Sequence, residues 1–269
     1  MNGLTGQALS ACYSTVANII GLNSEPLSVI QRVEKHRRYW RPAKTRVILL
    51  AESHVYTEAS ELAHALRPSL DVPPDLPKGF VRLVYCLGYG ENGLLDAPIA
   101  GTRNSGTPQF WKIFASCLKP VASNDDFAGI LASRTLQPDR LVNKLALLYY
   151  LKARGIWLVD ASIAALYAPG RPKLPPNRML DVLYASWDGY VCSVIEEANP
   201  QAIICIGLGV AGALRTRLIS LGIPWTAVPQ PNARLSTAQH LDVFRTYYRI
   251  CEQPEAIVAI QPSWVKTAF

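Results

Sequence analysis

Short apolar runs that alternate with helix-forming segments constrain this chain more than any other feature. RVILLAE at 46–52, GFVRLVYCLGY at 79–89, GIWLVDAS at 155–162, AIICIG at 202–207 and PWTAVPQ at 224–230 are rich in β-branched and aromatic residues and read as strands. Helices are expected over 58–67, 108–118, 139–154, 179–198, 209–220 and 236–251, after an N-terminal helical region reaching to about residue 40. In the first of these, Glu58 and Glu61 sit in the early turns, where carboxylates suit the helix dipole. DVPPDLPKG and ENGLLDAPIAGTRNSGTP read as loops, the second long enough to suggest function. Strands alternating with helices imply an α/β fold with a mostly parallel sheet covered on both faces.

Composition agrees with one large domain over 1–269. Hydrophobic residues make up 49% of the 269 positions and charged ones 17%, which excludes a disordered chain and suits a doubly covered sheet. The longest clear apolar run, Ala202 to Leu214, has 13 residues, short of the roughly 18 a membrane helix needs. MNGLTGQALSACYSTVANII lacks a basic stretch before its apolar residues, so no secretory signal and a cytoplasmic location are expected. Six cysteines, at 12, 86, 117, 192, 205 and 251, form no C-x-x-C pair and read as buried thiols. Four histidines, at 36, 54, 64 and 240, show no ligand spacing, so neither metal nor other cofactor is expected.

The formal net charge is +7, and its distribution points to polyanions. QRVEKHRRYWRPAKTR, 31–46, carries seven Lys and Arg against one Glu, with Tyr39 and Trp40 among them, and no carboxylate occurs between Glu197 and Asp242. A solvated basic face without a partner is the plainer explanation of the first stretch.

Gly207, Gly209 and Gly212 form G-x-G-x-x-G between a strand and a helix, the context of a dinucleotide fingerprint. The ribose-binding acid that should follow about 20 residues later is missing. Close strand-to-helix packing accounts for the glycines better than a cofactor site does. There is no G-x-S-x-G elbow and no P-loop, and Cys192 and Cys205 read as buried thiols before nucleophiles.

Polar groups nonetheless cluster where strands end: Glu52, Ser53 and His54 after the first, Asp160 and Ser162 after the third, Gln230 and Asn232 after the last. Ligands of open α/β sheets bind at such carboxyl ends. In order along the chain, VILLAESHVY, LLYYLKARGIWLVDASIAAL, AIICIGLGVAGAL and AVPQPNARLS resemble motifs of the uracil-DNA glycosylase superfamily, and together they span most of residues 46–250. The resemblance implies a three-layer α/β/α sandwich around a central, mostly parallel four-stranded sheet. It also implies a metal-independent monofunctional enzyme, acting as a monomer, that flips a base out of single- or double-stranded DNA and hydrolyses its glycosidic bond.

Through the same resemblance, Glu52 matches the position where iron-sulfur members place a glutamate, and becomes the water activator. Ser53 matches the aspartate of the best-known uracil branch. His54 stands where proline is usual and could orient the water or meet the base as a neutral imidazole. Both Glu52 and His54 could instead satisfy backbone groups of their loop. Tyr85 resembles the aromatic residue that stacks on the flipped base, or is a core tyrosine; Tyr56 and Asn104 are further base-binding candidates, with Lys112 at the alternative position for the base-reading residue. Gln230 falls where the family has histidine or asparagine and would donate to a base oxygen. Asn232 would bind a phosphate, Arg234 and Leu235 would enter the base stack and Ser236 would be a further DNA contact, unless this loop only caps the last helix through Ser236. The absence of a four-cysteine cluster excludes the iron-sulfur branches.

Uracil or a related deaminated base in DNA is thus the expected substrate. A catalytically weak or inactive module binding uracil-containing or damaged DNA is the alternative, given Ser53 and Gln230. A nucleotide-cofactor enzyme using the glycine-rich turn is a third possibility from another class.

Overall fold

The computed structural model describes residues 3–99, 107–168, 170 and 172–258. Along the chain run α1 (Gly3–Ile20), α2 (Leu27–Tyr39), β1 (Val47–Ala51), α3 (Thr107–Ser116), α4 (Gln137–Ala153), β2 (Ile156–Asp160), α5 (Pro176–Ser186), α6 (Cys192–Ala198), β3 (Ala202–Ile206), α7 (Leu208–Ala213), α8 (Arg215–Ser220), β4 (Trp225–Val228) and α9 (Thr237–Glu252). The molecule is an α/β protein whose four strands form an all-parallel sheet in the order β2-β1-β3-β4, flanked by helices.

Two compact units gather these elements, each from three separate stretches. One comprises Met1–Tyr39, Glu52–Arg103 and Asp160–Glu197; the other comprises Trp40–Ala51, Asn104–Val159 and Ala198–Phe269.

The sheet belongs to the second unit apart from Asp160, the last residue of β2. Val47 pairs with Ala202 and Leu50 with Cys205; Ile203 pairs with Trp225 and Ile206 with Val228. Every residue of β1, β2 and β3 is buried, which explains why these strands read as unbroken apolar runs without alternation. The turn from α4 into β2 requires a glycine: Gly155 has φ +75°, and a Cβ there would lie 2.7 Å from the Lys44 carbonyl oxygen. Its own carbonyl accepts from Arg46 N at 2.7 Å, at the entry to β1. Beside the sheet, Phe127 meets Phe244 edge-on at 5.0 Å, and the buried Lys144 ammonium lies 4.8 Å from the Trp111 ring centroid.

In the first unit, α1 packs on α5 and on the single π turn Trp187–Val191 that separates α5 from α6. The helix expected over 179–198 is therefore two α-helices joined by a π turn. The N-terminal segment is built into this unit: α2 buries Val29, Ile30, Val33, Glu34, His36 and Arg37 along one face.

Two expected elements are absent as drawn. Residues 79–89 are no strand but a chain of turns, with Cys86 N bonded to Leu83 O, Tyr89 N to Cys86 O and Glu91 N to Gly88 O. Only Gly79 pairs in strand fashion, in an isolated antiparallel bridge to Ala65. Successive turns bury neighbouring residues without extending the chain, so the apolar composition here reports burial and not a strand. The helix expected over 58–67 is reduced to a 3₁₀ turn, Ala59–Ala63, closed by a capping box between Glu58 and Glu61. Beyond it His64 is extended, and Leu66 N bonds to Lys78 O, committing the backbone to another partner. Among the described residues, no helix is long and apolar enough to cross a membrane.

Candidate functional site

The loops that leave β1 and β2 are joined within the first unit. Ser162 N donates to the Glu52 carbonyl at 2.9 Å, and Leu166 N donates to the Ser53 hydroxyl at 3.3 Å. Glu52 is half-buried and its charge lies near the phenol of Tyr167, which is 46% exposed. Burial, then the Glu52 charge, push the Tyr167 pKa up, so the phenol keeps its proton.

Beneath this edge lies a chain of buried ions. His54 Nε2 donates to Glu25 Oε2 at 2.8 Å, and its Nδ1 lies 3.8 Å from Asp160 Oδ2, a distance for electrostatic attraction and too long for a hydrogen bond. Asp160 Oδ2 accepts from Arg37 at 2.7 Å, and the same guanidinium donates to Glu34 Oε2 at 2.6 Å. Glu34 Oε1 accepts from Arg38 Nε and from the Tyr190 hydroxyl, each at 2.7 Å. Three carboxylates, Glu25, Glu34 and Asp160, thus face two guanidinium groups, and the charges sum to zero only when His54 is an imidazolium.

The titration of each group follows from these contacts. Burial pushes the His54 imidazole down, but the Glu25 and Asp160 carboxylates outweigh it and raise its pKa to about 9. Burial alone would raise the Asp160 carboxyl; Arg37 and His54 hold it below the usual carboxylate range. The Asp160 carboxylate and the His54 imidazolium therefore stabilise one another. The neutral imidazole expected for His54 is thereby corrected to a cation, because a buried ring between two carboxylates retains its proton. The His54 side chain has no solvent-accessible surface, so it supports the loop from below.

The other candidates divide between the units. Tyr56 and Tyr85 are both core residues of the first, at 4% and 2% exposure. Asn104 lies outside the described residues. Lys112, in the second unit, lies 5.4 Å from the Phe127 ring centroid, and burial lowers its pKa. Gln230 follows β4 and rests on Gly207, the residue after β3: φ is +120° at Gly207, and a Cβ there would lie 3.0 Å from Gln230 Cγ. At Gly209 and Gly212 a Cβ would meet nothing within 4 Å. Close packing, expected to account for all three glycines, therefore accounts for Gly207 alone.

Asn232 and Arg234 are exposed and Leu235 is half-buried in a tight loop closed by Ala233 N to Gln230 O at 2.9 Å. Ser236 caps α9: its hydroxyl accepts from Gln239 N at 3.3 Å, and Gln239 Oε1 accepts from Ser236 N at 2.8 Å. Ser236 thus has the capping role its sequence position allowed.

The basic stretch 31–46 also turns inward. Arg37 and Arg38 hold Glu34, Arg32 donates to the Leu62 carbonyl at 2.7 Å, and the Arg41 guanidinium lies 5.4 Å from the Trp157 ring centroid. Of its seven basic side chains only Lys35 and Lys44 are classed as exposed, so most of the stretch is committed to packing and pairing.

Sequence reasoning missed Glu25, Glu34, Arg37, Tyr167 and Tyr190. Helical spacing carried the signal for two of them, since Glu34 and Arg37 fall on the same α2 stripe as Ile30 and Val33. Glu25 gives no local sign of its partner 29 residues away. Among the described residues, no group of three His, Cys, Asp or Glu side chains is arranged to hold a metal ion. No protein-family model matches the sequence, and neither does any curated protein.

Proposed function

We propose that the chain is a uracil-DNA glycosylase-like enzyme, a three-layer α/β/α protein that hydrolyses the N-glycosidic bond of uracil or a related deaminated base in DNA. The observation that carries this reading is Glu52. It directly follows a parallel strand, sits half-buried in a loop whose backbone Ser162 N holds, and lies near the Tyr167 phenol. Glycosidic hydrolysis passes through an oxocarbenium-like sugar, and a carboxylate so placed would orient the attacking water and stabilise that cation.

Flipping a base costs a few kcal/mol, which DNA contacts must supply. The exposed Asn232 and Arg234 suit phosphate contact and insertion, with Leu235 as an apolar wedge. Gln230, held on Gly207, offers an amide donor for a base oxygen. His54 acts from beneath the loop, without touching DNA. Phosphate contact through Arg234 makes binding salt-dependent in this reading.

A second reading is favoured by Ser53. Its hydroxyl already accepts the Leu166 amide, and serine cannot replace an anionic base. A protein that binds uracil-containing or damaged DNA without turnover fits that substitution.

The deciding experiment is incubation of the purified protein with single- and double-stranded uracil-containing oligonucleotides in the presence of a chelator, with alkali treatment to reveal abasic sites. Product that vanishes in Glu52→Gln while DNA affinity is kept supports the enzyme. Binding without product supports the module, and neither binding nor product overturns both readings.

A further inference from the structure

We infer that Glu25, in the segment joining α1 to α2, is the positioning residue of the loop that carries Glu52. Its consequence for catalysis rests on the glycosylase reading; the clamp itself stands on the geometry alone.

One carboxylate takes three donors from two loops. Glu25 Oε1 accepts Thr57 N at 2.7 Å, while Oε2 accepts His54 Nε2 at 2.8 Å and Ala165 N at 2.9 Å. The first two donors belong to the loop after β1 and the third to the loop after β2. Glu25 is 1% exposed, and its own carbonyl accepts from the Tyr13 hydroxyl on α1 at 2.8 Å. A carboxylate withdrawn from water is tolerated only with its hydrogen bonds and countercharge complete. Here all three donors and the facing cation come from those loops, so neither loop can shift without stripping a buried charge.

The consequence falls on Glu52. Ala51 before it ends β1, its own carbonyl is held by Ser162 N, and two residues further on His54 is held by Glu25, so the backbone carrying the carboxylate is fixed on either side. What freedom remains lies in its side-chain torsions. A reacting group placed on a loop gains from such support, because a displacement near 1 Å costs on the order of 100-fold in rate. Glu25 itself is shielded from solvent and touches no substrate.

The test compares the full chain with Glu25→Gln by three readouts: amide hydrogen exchange at Thr57 and Ala165, NMR titration of the His54 imidazole, and single-turnover excision from a uracil-containing oligonucleotide. The inference expects faster exchange at those two amides, a fall in the pH at which His54 loses its proton, and excision slowed on the order of 100-fold with DNA affinity within a few-fold. Unchanged exchange and an unchanged His54 titration overturn it. If the unmodified protein excises nothing, the glycosylase reading fails while exchange and titration still decide the clamp. Should Glu25→Gln not fold, the unmodified protein decides: Thr57 and Ala165 amides exchanging as fast as those of exposed loops, or a His54 that is neutral at pH 7, overturn the inference.

Discussion

His54 Nε2 and Glu25 Oε2 lie 2.8 Å apart with both side chains wholly withdrawn from solvent. On its other side His54 faces Asp160, which in turn faces Arg37, so the ring is enclosed by charge. Its pKa is raised from an ordinary 6.5 to about 9. The folded state therefore holds a proton that the unfolded chain releases at lower pH. This contribution to stability is complete below about pH 6.5 and is lost as pH rises through 9, an effect on the order of 3 kcal/mol. Urea denaturation between pH 6 and 10 should show that decline, and His54→Gln should flatten it.

His36 predicts the opposite limb. Its Nε2 lies 2.7 Å from the Gly79 carbonyl, and burial lowers its pKa to about 4. The unfolded chain takes up a proton near pH 6.5 that the folded protein refuses until about 4, so this contribution is complete above 6.5 and is lost as pH falls to 4. His36→Gln should flatten the acid limb and leave the alkaline one, measured by the same denaturation series.

Arg37 bridges two buried carboxylates, so its removal leaves both without their shared cation. Arg37→Met should cost about 3–5 kcal/mol in chemical denaturation, the range for an uncompensated buried charge. Arg37→Lys should recover only part of the loss, since one ammonium cannot reproduce a fork that donates separately to Glu34 and Asp160.

Gly207 and Gly209 should respond in opposite directions. Gly207→Ala must place a side chain at φ +120° against Gln230, and should lower Tm and disturb the Gln230 signals in NMR spectra. Gly209→Ala adds a methyl group in open space within α7 and should be neutral or stabilising by up to about 1 kcal/mol.

Tyr167→Phe removes the hydroxyl near Glu52 while keeping the ring. Under the glycosylase reading, excision should fall about tenfold, on the scale of losing one polar neighbour of a charged group, with thermal stability unchanged. Steady-state and single-turnover assays on uracil-containing DNA would measure it.

The sheet was legible because β1, β2 and β3 are buried throughout, and burial on both faces leaves an apolar run that stands out from its surroundings. Expected bounds of 46–52 and 155–162 contain the observed Val47–Ala51 and Ile156–Asp160. The same apolar signal misled at 79–89, where turns do the burying and hydrogen bonds run three residues back along the chain. Charge was harder to read. The formula of 31–46 suggests a basic face, yet Arg37 and Arg38 are drawn inward by Glu34, and Arg37 also by Asp160, 123 residues further on. For Glu52 and Ser53, position after a strand was evident from sequence. Their support was not, because Glu25 and Ala165 are 140 residues apart and neither stands out locally.

The ion chain also bears on how the molecule is made. Its contacts span separations of 29, 123 and 156 residues, from Glu25 to His54, Arg37 to Asp160 and Glu34 to Tyr190. Pairings this remote form late and slow folding, because long loops must close before any contact rewards them. On the ribosome, α2 emerges with Glu34 and Arg37 already on its apolar stripe, and Arg37 waits 123 residues for Asp160 while Glu34 waits 156 for Tyr190. Charges on that stripe keep the waiting helix hydrated, so the residues that later lock the first unit also protect the nascent chain from premature association.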